Sequence, residues 1–267
     1  MQYGTLTVGV ANEVGTVVLN RPEVRNAFDE TMIAELTRAF EALGARDDVR
    51  AIVLAANGKA FCAGADLNWM KRMAGYSDAE NRADARRLAR MLDAVYRCAK
   101  PVVARVNGDA YAGGLGLVCA ADVVVAVDTA RFCLSEARLG LMPATIAPYV
   151  IRALGEQASR RYFATAETFD CATALRLGLV GEAVAADRLD AAVARIVGAL
   201  RANGPDAVRE CRALVRDVAG RTIDEALIED TALRIARIRA SDEGREGIAA
   251  FLEKRAPRWR GEEANSR

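Results

Sequence analysis

The strongest constraint on the fold of this chain is the alternation of short apolar strands with helices along its first half. The segment LTVGVANEVGTVVLN predicts two short strands joined by a turn, and AIVLAA at 51–56 predicts a buried strand. Between them, Ile33, Leu36 and Phe40 recur at helical spacing, which predicts an amphipathic helix from about 29 to 44. This β–β–α order predicts a layered α/β protein rather than a regular doubly wound sheet.

The middle of the chain continues this pattern, and the C-terminal part changes it. Ser77 and Glu80 have the spacing of a capping box, which predicts the start of a long helix. PVVARVNG, DVVVAV and RFCL predict further strands, and GGLGLVCAA predicts a short buried helix. From Ser135 onward almost every segment is predicted to be helical, and Thr222 with Glu225 predicts a second capping box.

Charge and hydropathy argue against a nucleic-acid or membrane partner. The chain carries 37 Lys and Arg against 36 Asp and Glu, so no overall field attracts nucleic acid or an anionic membrane. No apolar run approaches the roughly 20 residues that span a bilayer. The N-terminal segment MQYGTLTVGV lacks the basic and apolar parts of a secretory signal. We therefore expect a cytoplasmic protein.

The residue types present limit the chemistry that the chain can perform. It has no histidine, which excludes Ser-His-Asp and Cys-His catalysis and any imidazole base. Proton transfer would fall to carboxylates, Tyr, Lys, Cys or water. The six cysteines lie among apolar neighbours without C-x-x-C spacing, which favours buried free thiols over disulfides or a metal site.

Two turns rich in small residues stand out. FCAGADLNWM at 61–70 directly follows AIVLAA and the turn NGKA, and its small residues would let the backbone approach another strand or a ligand closely. The second turn contains Gly113, Gly114 and Gly116, but Cys119 stands where a dinucleotide fingerprint needs glycine or alanine. The second turn therefore indicates either close helix packing or a helix start whose N–H groups face an anion.

Taken together, these segments resemble one known family. FCAGADL, VNGDAYAGGLGL and SEARLGLMPA occur in the order and spacing of the crotonase (enoyl-CoA hydratase/isomerase) superfamily, and NRPEVRNAF, GLVGEAV and AFLEKR fit it as well. The resemblance covers residues 5 to 258. It implies an α/β fold, a crotonase-like spiral of β–β–α units over residues 1–200, and a helical C-terminal trimerisation region over 201–267. It also implies an acyl-CoA thioester substrate, no separate cofactor, no metal, and a homotrimer or hexamer.

The resemblance also implies catalytic roles. In crotonases two backbone N–H groups hold the thioester carbonyl as it becomes an enolate, and the matching donors here are Ala65 and Gly113. Hydratases of the family place two glutamates around one water. The first of these positions is Gly116 in this chain, and the second is Glu136. The structural alternative for Glu136 is an acid at a helix start beside the N-cap candidate Ser135.

A further set of residues is expected to contact the substrate. It comprises Arg25, Ala63, Asp66, Leu67, Trp69, Gly116 and Lys254. Gly116 would free space for a branched acyl chain, or a second water or a substrate carboxylate would replace the missing acid. Arg25 and Lys254 match family positions near the CoA phosphates, with a solvated surface charge as the alternative. Asp66 is expected to cap or orient the loop of Ala65, and Trp69 either lines the acyl pocket or packs in the core.

Within the family, the chain looks most like the methylglutaconyl-CoA and isohexenylglutaconyl-CoA hydratases. The shared features are GADLNWM, glycine at position 116, and SEARLGLMPATIAPYVIRALGE. This likeness implies syn addition of water to a branched or carboxylated 2-enoyl-CoA such as methylglutaconyl-CoA. The alternatives are an enoyl-CoA isomerase, for which a single glutamate suffices, and an acyl-CoA-binding protein without activity.

Overall fold

A computed structural model describes residues 2–260 of the chain and shows a mixed α/β architecture. Contacts divide the chain into two compact units, Met1–Arg195 and Ile196–Arg267. Both β-sheets lie in the first unit, and the described part of the second is helical. The expected α/β class with a helical C-terminal region is confirmed. The boundary at residue 200 and the trimerisation role of residues 201–267 stay predictions.

Most of the strands are parallel to their neighbours. In the described part of the chain they are β1 (Leu6–Ala11), β2 (Val14–Leu19), β3 (Ala51–Ala56), β4 (Val102–Val106), β5 (Ala110–Tyr111), β6 (Val123–Val127), β7 (Arg131–Cys133), β8 (Phe169–Asp170) and β9 (Glu182–Val184). One sheet has the order β1-β2-β3-β4-β6-β9, with β1 and β2 antiparallel and the other pairs parallel. A smaller sheet has the order β5-β7-β8. Strand β3 is buried along its whole length, as its continuous apolar run predicts.

The helices begin at recognisable caps. Over residues 2–260 the α-helices are α1 (Glu30–Gly44), α2 (Leu67–Met73), α3 (Asp78–Tyr96), α4 (Gly113–Cys119), α5 (Ala147–Thr165), α6 (Cys171–Arg176), α7 (Leu189–Ala202), α8 (Pro205–Val218), α9 (Glu225–Ala240) and α10 (Asp242–Leu252). Short 3-10 helices span Pro22–Val24, Glu136–Leu139, Ala186–Arg188 and Arg258–Arg260. The capping box at Ser77 and Glu80 is confirmed, because each residue's side chain accepts a hydrogen bond from the other's backbone N–H.

The core of the first unit forms where α1 packs against α3 and the main sheet. Helix α1 buries its apolar stripe, including Leu36 and Phe40, and Leu43 packs on Gly15 of β2. The side chain of Asp29 accepts a hydrogen bond from the Met32 N–H and caps the start of this helix. The helical spacing in the sequence thus identifies the buried face.

Three expectations about the second half of the chain and the thiols need correction. The region after Ser135 also contains β8 and β9, and β9 joins the main sheet by pairing with β6. The second capping box is wrong, because Asp224 is the N-cap of α9 and accepts from the Leu227 N–H at 2.9 Å. The free cysteines are buried except Cys211, which is exposed.

Candidate active site

Three loops meet where neighbouring parallel strands end. They follow the parallel strands β2, β3 and β4. Because ligands of open α/β sheets bind outside the carboxyl ends of the strands, this is the expected place for a site. The Phe28 N–H donates to the Gly64 carbonyl at 2.7 Å, and the Phe28 carbonyl accepts from the Asp66 N–H at 2.7 Å. The Tyr111 N–H donates to the Cys62 carbonyl at 2.9 Å. These bonds bring the FCAGADL segment together with the turn that contains Gly113, Gly114 and Gly116, which we call the glycine-rich turn.

Close backbone contact explains the small residues in both segments. A side chain at Gly114 would begin 2.6 Å from the Cys62 carbonyl oxygen. A side chain at Gly64, whose φ is +95°, would begin 3.1 Å from the Ala112 methyl carbon. Neither position accommodates a larger residue without a shift of its neighbour, so the small residues serve contact between two segments of this chain.

The Ala65 N–H is a donor that the fold leaves open. Residues 64 and 66 are both bonded to Phe28, and successive N–H groups of an extended strand point in opposite directions. The Ala65 N–H therefore points away from Phe28. Among residues 2–260 it donates to no acceptor, although Ala65 is half-buried. An amide in this situation is suited to a ligand oxygen.

The Gly113 N–H is a second open donor, for a different reason. Gly113 is the first residue of α4, and the first N–H groups of a helix have no partner within the helix. No acceptor for this N–H occurs in the described part of the chain, and Gly113 is half-buried. Phe28 lies against it, since a side chain at Gly113 would begin 3.0 Å from Phe28 Cε2. The same residue thus contacts the segments that carry both donors.

Glu136 is held beside the glycine-rich turn by the small sheet. Strand β7 pairs with β5 through Cys133 and Tyr111, and the Ala112 N–H donates to the Cys133 carbonyl at 2.8 Å. Glu136 follows β7 by three residues and begins a short 3-10 helix. Ser135 is the N-cap residue of this helix, as expected, but its side chain makes no capping hydrogen bond.

The Glu136 carboxyl group is perturbed by its surroundings. Its Oε2 is buried and has no hydrogen-bond partner within residues 2–260. Burial raises the pKa of this carboxyl above its ordinary value, and a bond from its own backbone N–H opposes the shift in part. A half-buried acid with an unpartnered oxygen and a raised pKa is a stronger base than an ordinary carboxylate, which suits it to accept a proton.

The surroundings of Gly116 contradict one expectation. A side chain at this position would begin 2.6 Å from Ile146 Cβ, and Ile146 is only 1% exposed. The space that an acid would occupy at position 116 is therefore filled by Ile146. The expectation that Gly116 frees room for a branched acyl chain is wrong at this point, because the volume belongs to another side chain of the same protein.

Asp66 supports the loop that carries Ala65. Its Oδ1 accepts from the N–H groups of Asn68 and Trp69 at the start of α2, and its Oδ2 pairs with Arg21 at 3.0 Å. Burial opposes ionisation of this carboxyl, but the Trp69 and Asn68 amides and Arg21 outweigh it and hold its pKa below the ordinary value. Because both oxygens are engaged, we assign Asp66 to the support of this loop rather than to substrate contact.

The other expected contact residues of the first unit occupy different environments. The Ala63 N–H donates to the Arg25 carbonyl at 3.0 Å, so the exposed Arg25 side chain begins beside the FCAGADL segment. Leu67 is 74% exposed at the start of α2. Trp69 is 3% exposed, and its Nε1 is buried without an acceptor among residues 2–260. Substrate contact by these four residues stays a prediction.

Lys254 belongs to the second unit. It follows α10, has a left-handed backbone with φ of 55°, and exposes its side chain. Its proposed contact with a CoA phosphate stays a prediction.

Asp122 is structural, because its Oδ2 accepts from the Val102 N–H at 2.7 Å and joins the starts of β6 and β4.

Sequence reasoning missed three residues that shape this region. Arg21 pairs with Asp29 and Asp66, Ile146 fills the space at Gly116, and Ala112 precedes Gly113 in a strained conformation. The position of Arg21 in NRPEVRNAF was the one available signal, since an Arg next to a turn invites a carboxylate partner. Nothing in the sequence indicates that Ile146 contacts Gly116.

The described residues contain neither an obvious metal site nor a membrane-spanning segment. Among residues 2–260, no group of three or more Cys, Asp or Glu side chains is arranged to hold a metal ion. Over the same residues, no helix combines the length and apolar character needed to cross a bilayer.

Comparison with known proteins gives consistent matches over nearly the whole chain. The family described as enoyl-CoA hydratase/isomerase matches residues 9–262. An enoyl-CoA hydratase of known structure from Shewanella pealeana is 43% identical, with 97% of each chain covered and a TM-score of 0.94. Pseudomonas aeruginosa AtuE is 36% identical, with 96% of this chain and 99% of that chain covered and a TM-score of 0.91. Enoyl-CoA hydratase ACTT6 of Alternaria alternata is 35% identical over 91% of this chain and 80% of that protein.

The fold and these matches define an enzyme with the crotonase fold. The chain belongs to the enoyl-CoA hydratase/isomerase family. The resemblance to the superfamily seen in the sequence motifs is confirmed at this level.

Proposed function

We propose that this protein is a 2-enoyl-CoA hydratase, a lyase that adds water to the double bond conjugated with a thioester. The observation that carries the proposal is Glu136, whose Oε2 is buried without a partner in the described chain and whose pKa burial raises. Its segment is bonded to the turn that presents the open Gly113 N–H. A proton acceptor beside an oxyanion donor is the combination that this addition requires. The names of the relatives agree with it.

The proposed mechanism uses two amides and one acid. The N–H groups of Ala65 and Gly113 polarise the thioester carbonyl, which makes the β-carbon electrophilic. Glu136, as carboxylate, takes a proton from water while the water oxygen bonds to the β-carbon and the double-bond electrons move to the carbonyl oxygen. Glu136 or a water molecule then returns a proton to the α-carbon as the enolate collapses. Coenzyme A is part of the substrate, and no separate cofactor takes part.

We propose a branched or carboxylated acyl group, of which methylglutaconyl is an example. The likeness of GADLNWM and SEARLGLMPA to hydratases of such substrates supports this. The buried Trp69 Nε1 supports it as well, since an unpartnered buried donor is costly and a substrate carboxylate would satisfy it.

We also propose that the protein assembles as a homotrimer or hexamer and works in the cytoplasm. The second unit exposes large apolar side chains, including Ile223 at 82%, Phe251 at 82% and Leu252 at 72%. Contact with another copy would remove such side chains from water. The buried free thiols of the first unit suit a reducing compartment.

The test is a series of enoyl-CoA thioesters that differ in methyl branch and distal carboxylate. Hydration of the double bond removes the absorbance of the conjugated thioester, and mass spectrometry should show that the product has gained the mass of one water molecule. A faster reaction with the carboxylated member supports the proposed acyl class. Trp69→Phe keeps the ring but removes the N–H, so it should reduce kcat/KM by about 10-fold for the carboxylated substrate alone. Equal loss on all substrates would assign Trp69 to packing.

An enoyl-CoA isomerase is the second candidate, and the environment of Gly116 favours it. With Ile146 in the space at that position, Glu136 is the acid that the family motifs place at the reacting carbons, and one carboxylate suffices to move a proton between two carbons. An isomerase would convert a 3-enoyl-CoA to the conjugated 2-enoyl-CoA, with a gain of absorbance and no gain of water. A protein that binds acyl-CoA and catalyses neither reaction would contradict both activities.

A further inference from the structure

Ala112 has a backbone conformation that few residues other than glycine adopt. Its φ is 48° and its ψ is −121°. The two C-cap residues Arg25 and Ala166 also have positive φ, but their ψ angles of 39° and 23° lie in the ordinary left-handed region. Strain of this kind persists when the surrounding structure enforces it, and it is concentrated at functional sites.

Three contacts enforce the conformation of Ala112. Its N–H donates to the Cys133 carbonyl at 2.8 Å, and its carbonyl accepts from the Gly116 N–H at 3.1 Å. Its methyl group packs on Gly64, since a methyl placed on Gly64 would lie 3.1 Å from it. Ala112 is thus fixed to β7, to α4 and to the FCAGADL segment at once.

Gly64 and Ala112, which make the last of these contacts, hold corresponding positions in the chain next to the two open donors. Gly64 immediately precedes Ala65, and Ala112 immediately precedes Gly113. A peptide plane joins each contact residue to its donor N–H, so the separation of Gly64 and Ala112 limits the separation of the two N–H groups. The methyl of Ala112 is the atom that fills this contact.

We propose that Ala112 is a positioning residue, whose methyl group sets the distance between the Ala65 and Gly113 N–H groups that polarise the thioester carbonyl. Glycine would adopt the same backbone angles without strain but would leave the contact with Gly64 empty. The methyl group of Ala112 therefore fixes the spacing of the two donors, although the backbone of Ala112 is strained. The inference rests on the proposed function, because it concerns the carbonyl that these donors bind.

The test compares Ala112→Gly with Ala112→Ser, which keeps the Cβ atom, and with Ala166→Gly. Ala166 is a matched control, because it is a buried alanine with positive φ at the C-cap of α5. Ala112→Gly should keep the parental Tm within a few degrees and lower kcat by about 10- to 100-fold with little change in KM. Ala112→Ser should retain most of the activity, and Ala166→Gly should retain all of it.

A spectroscopic measurement separates donor spacing from other causes. An aryl-conjugated enoyl-CoA absorbs at longer wavelength when its carbonyl is polarised, so its red shift on binding reports the two donors. In a Glu136→Gln background, which slows turnover by about 10²- to 10⁴-fold, Ala112→Gly should reduce this shift and Ala112→Ser should preserve it. An unchanged shift or a parental kcat in Ala112→Gly would overturn the proposal. Since the shift requires binding alone, a parent that shows the shift but hydrates nothing would refute the proposed activity and not the spacing.

Discussion

Ile146 lies directly against the Cα atom of Gly116 and closes the space beside it. A Cβ atom at position 116 would begin 2.6 Å from Ile146 Cβ, and Ile146 is 1% exposed at the N-cap of α5. Gly116 lies three residues after Gly113 on α4, so this contact is one helical turn from an open donor. The pair fixes α4 against α5 and leaves Glu136 without a partner acid from position 116.

The first prediction concerns this contact. Gly116→Ala should reduce the free energy of unfolding by about 1–3 kcal/mol, because the added methyl overpacks a filled site. Ile146→Ala alone should cost about 2–4 kcal/mol through the cavity it leaves. The double variant should cost less than the sum, because it removes the clash with Ile146 Cγ2 and leaves only the contact with the Cβ atom at position 146. Urea denaturation measures all three, and a Gly116→Ala variant as stable as the parent would refute the steric account.

The second prediction concerns the role of Glu136 in the rate. Glu136→Gln is nearly isosteric but cannot accept the proton, so kcat should fall by about 10²- to 10⁴-fold. KM should change little, because Glu136 takes its proton only in the transition state. Steady-state hydration kinetics check both parameters. Glu156→Gln is the matched control, since Glu156 is exposed and pairs with Arg160 on the surface of α5. A parental rate in Glu136→Gln would show that another group is the base.

The third prediction follows from the raised pKa of Glu136. The folded state holds this proton more tightly than the unfolded state, so ionisation of Glu136 costs stability as the pH rises above about 4.3, its unfolded pKa. Glu136→Gln removes that cost and should have a higher Tm than the parent at pH 7. The advantage should shrink as the pH falls towards 4. A Tm difference that does not depend on pH would contradict the assigned cause.

Much of the fold can be predicted from short-range patterns in the sequence. The run AIVLAA and the helical spacing of Leu36 and Phe40 identify β3 and α1, because burial on both faces or on one stripe produces these patterns. Strand β9 has no such signal. It contains three residues, and its strand character comes from pairing with β6. The start of α9 was missed because Thr222 and Asp224 both suit an N-cap, and Asp224 takes the role.

Some features of the candidate site can likewise be predicted from local sequence patterns, and others cannot. The positions of the Ala65 and Gly113 N–H groups depend on local turns, so the order of the motifs suffices to propose them. The setting of Gly116 depends on Ile146, thirty residues further along the chain, and the anchoring of Asp66 depends on Arg21, which precedes it by forty-five. Packing between distant segments leaves no pattern in a single sequence.

The fourth prediction concerns the anchor of the loop that carries Ala65. Asp66→Asn keeps the shape but removes the charge that pairs with Arg21, so it should cost about 1–3 kcal/mol at pH 7. Because the native pKa of Asp66 is lowered, its contribution is present above about pH 3.9 and disappears as the pH falls through the native pKa. Urea denaturation at several pH values checks this. Asp48→Asn, at an exposed ion pair with Arg46, should change stability little. A pH-independent loss in Asp66→Asn would point to packing instead.

The last prediction concerns Lys254 and the nucleotide end of the substrate. If its ammonium group binds a CoA phosphate, the contact is the same in the bound substrate and in the transition state. Lys254→Ala should then raise KM several-fold at low salt and leave kcat unchanged, and added salt should reduce the difference. Lys100→Ala is the control, since Lys100 precedes β4 in the first unit and should affect neither parameter. Steady-state kinetics at two ionic strengths measure both, and a parental KM in Lys254→Ala would make Lys254 a solvated surface charge.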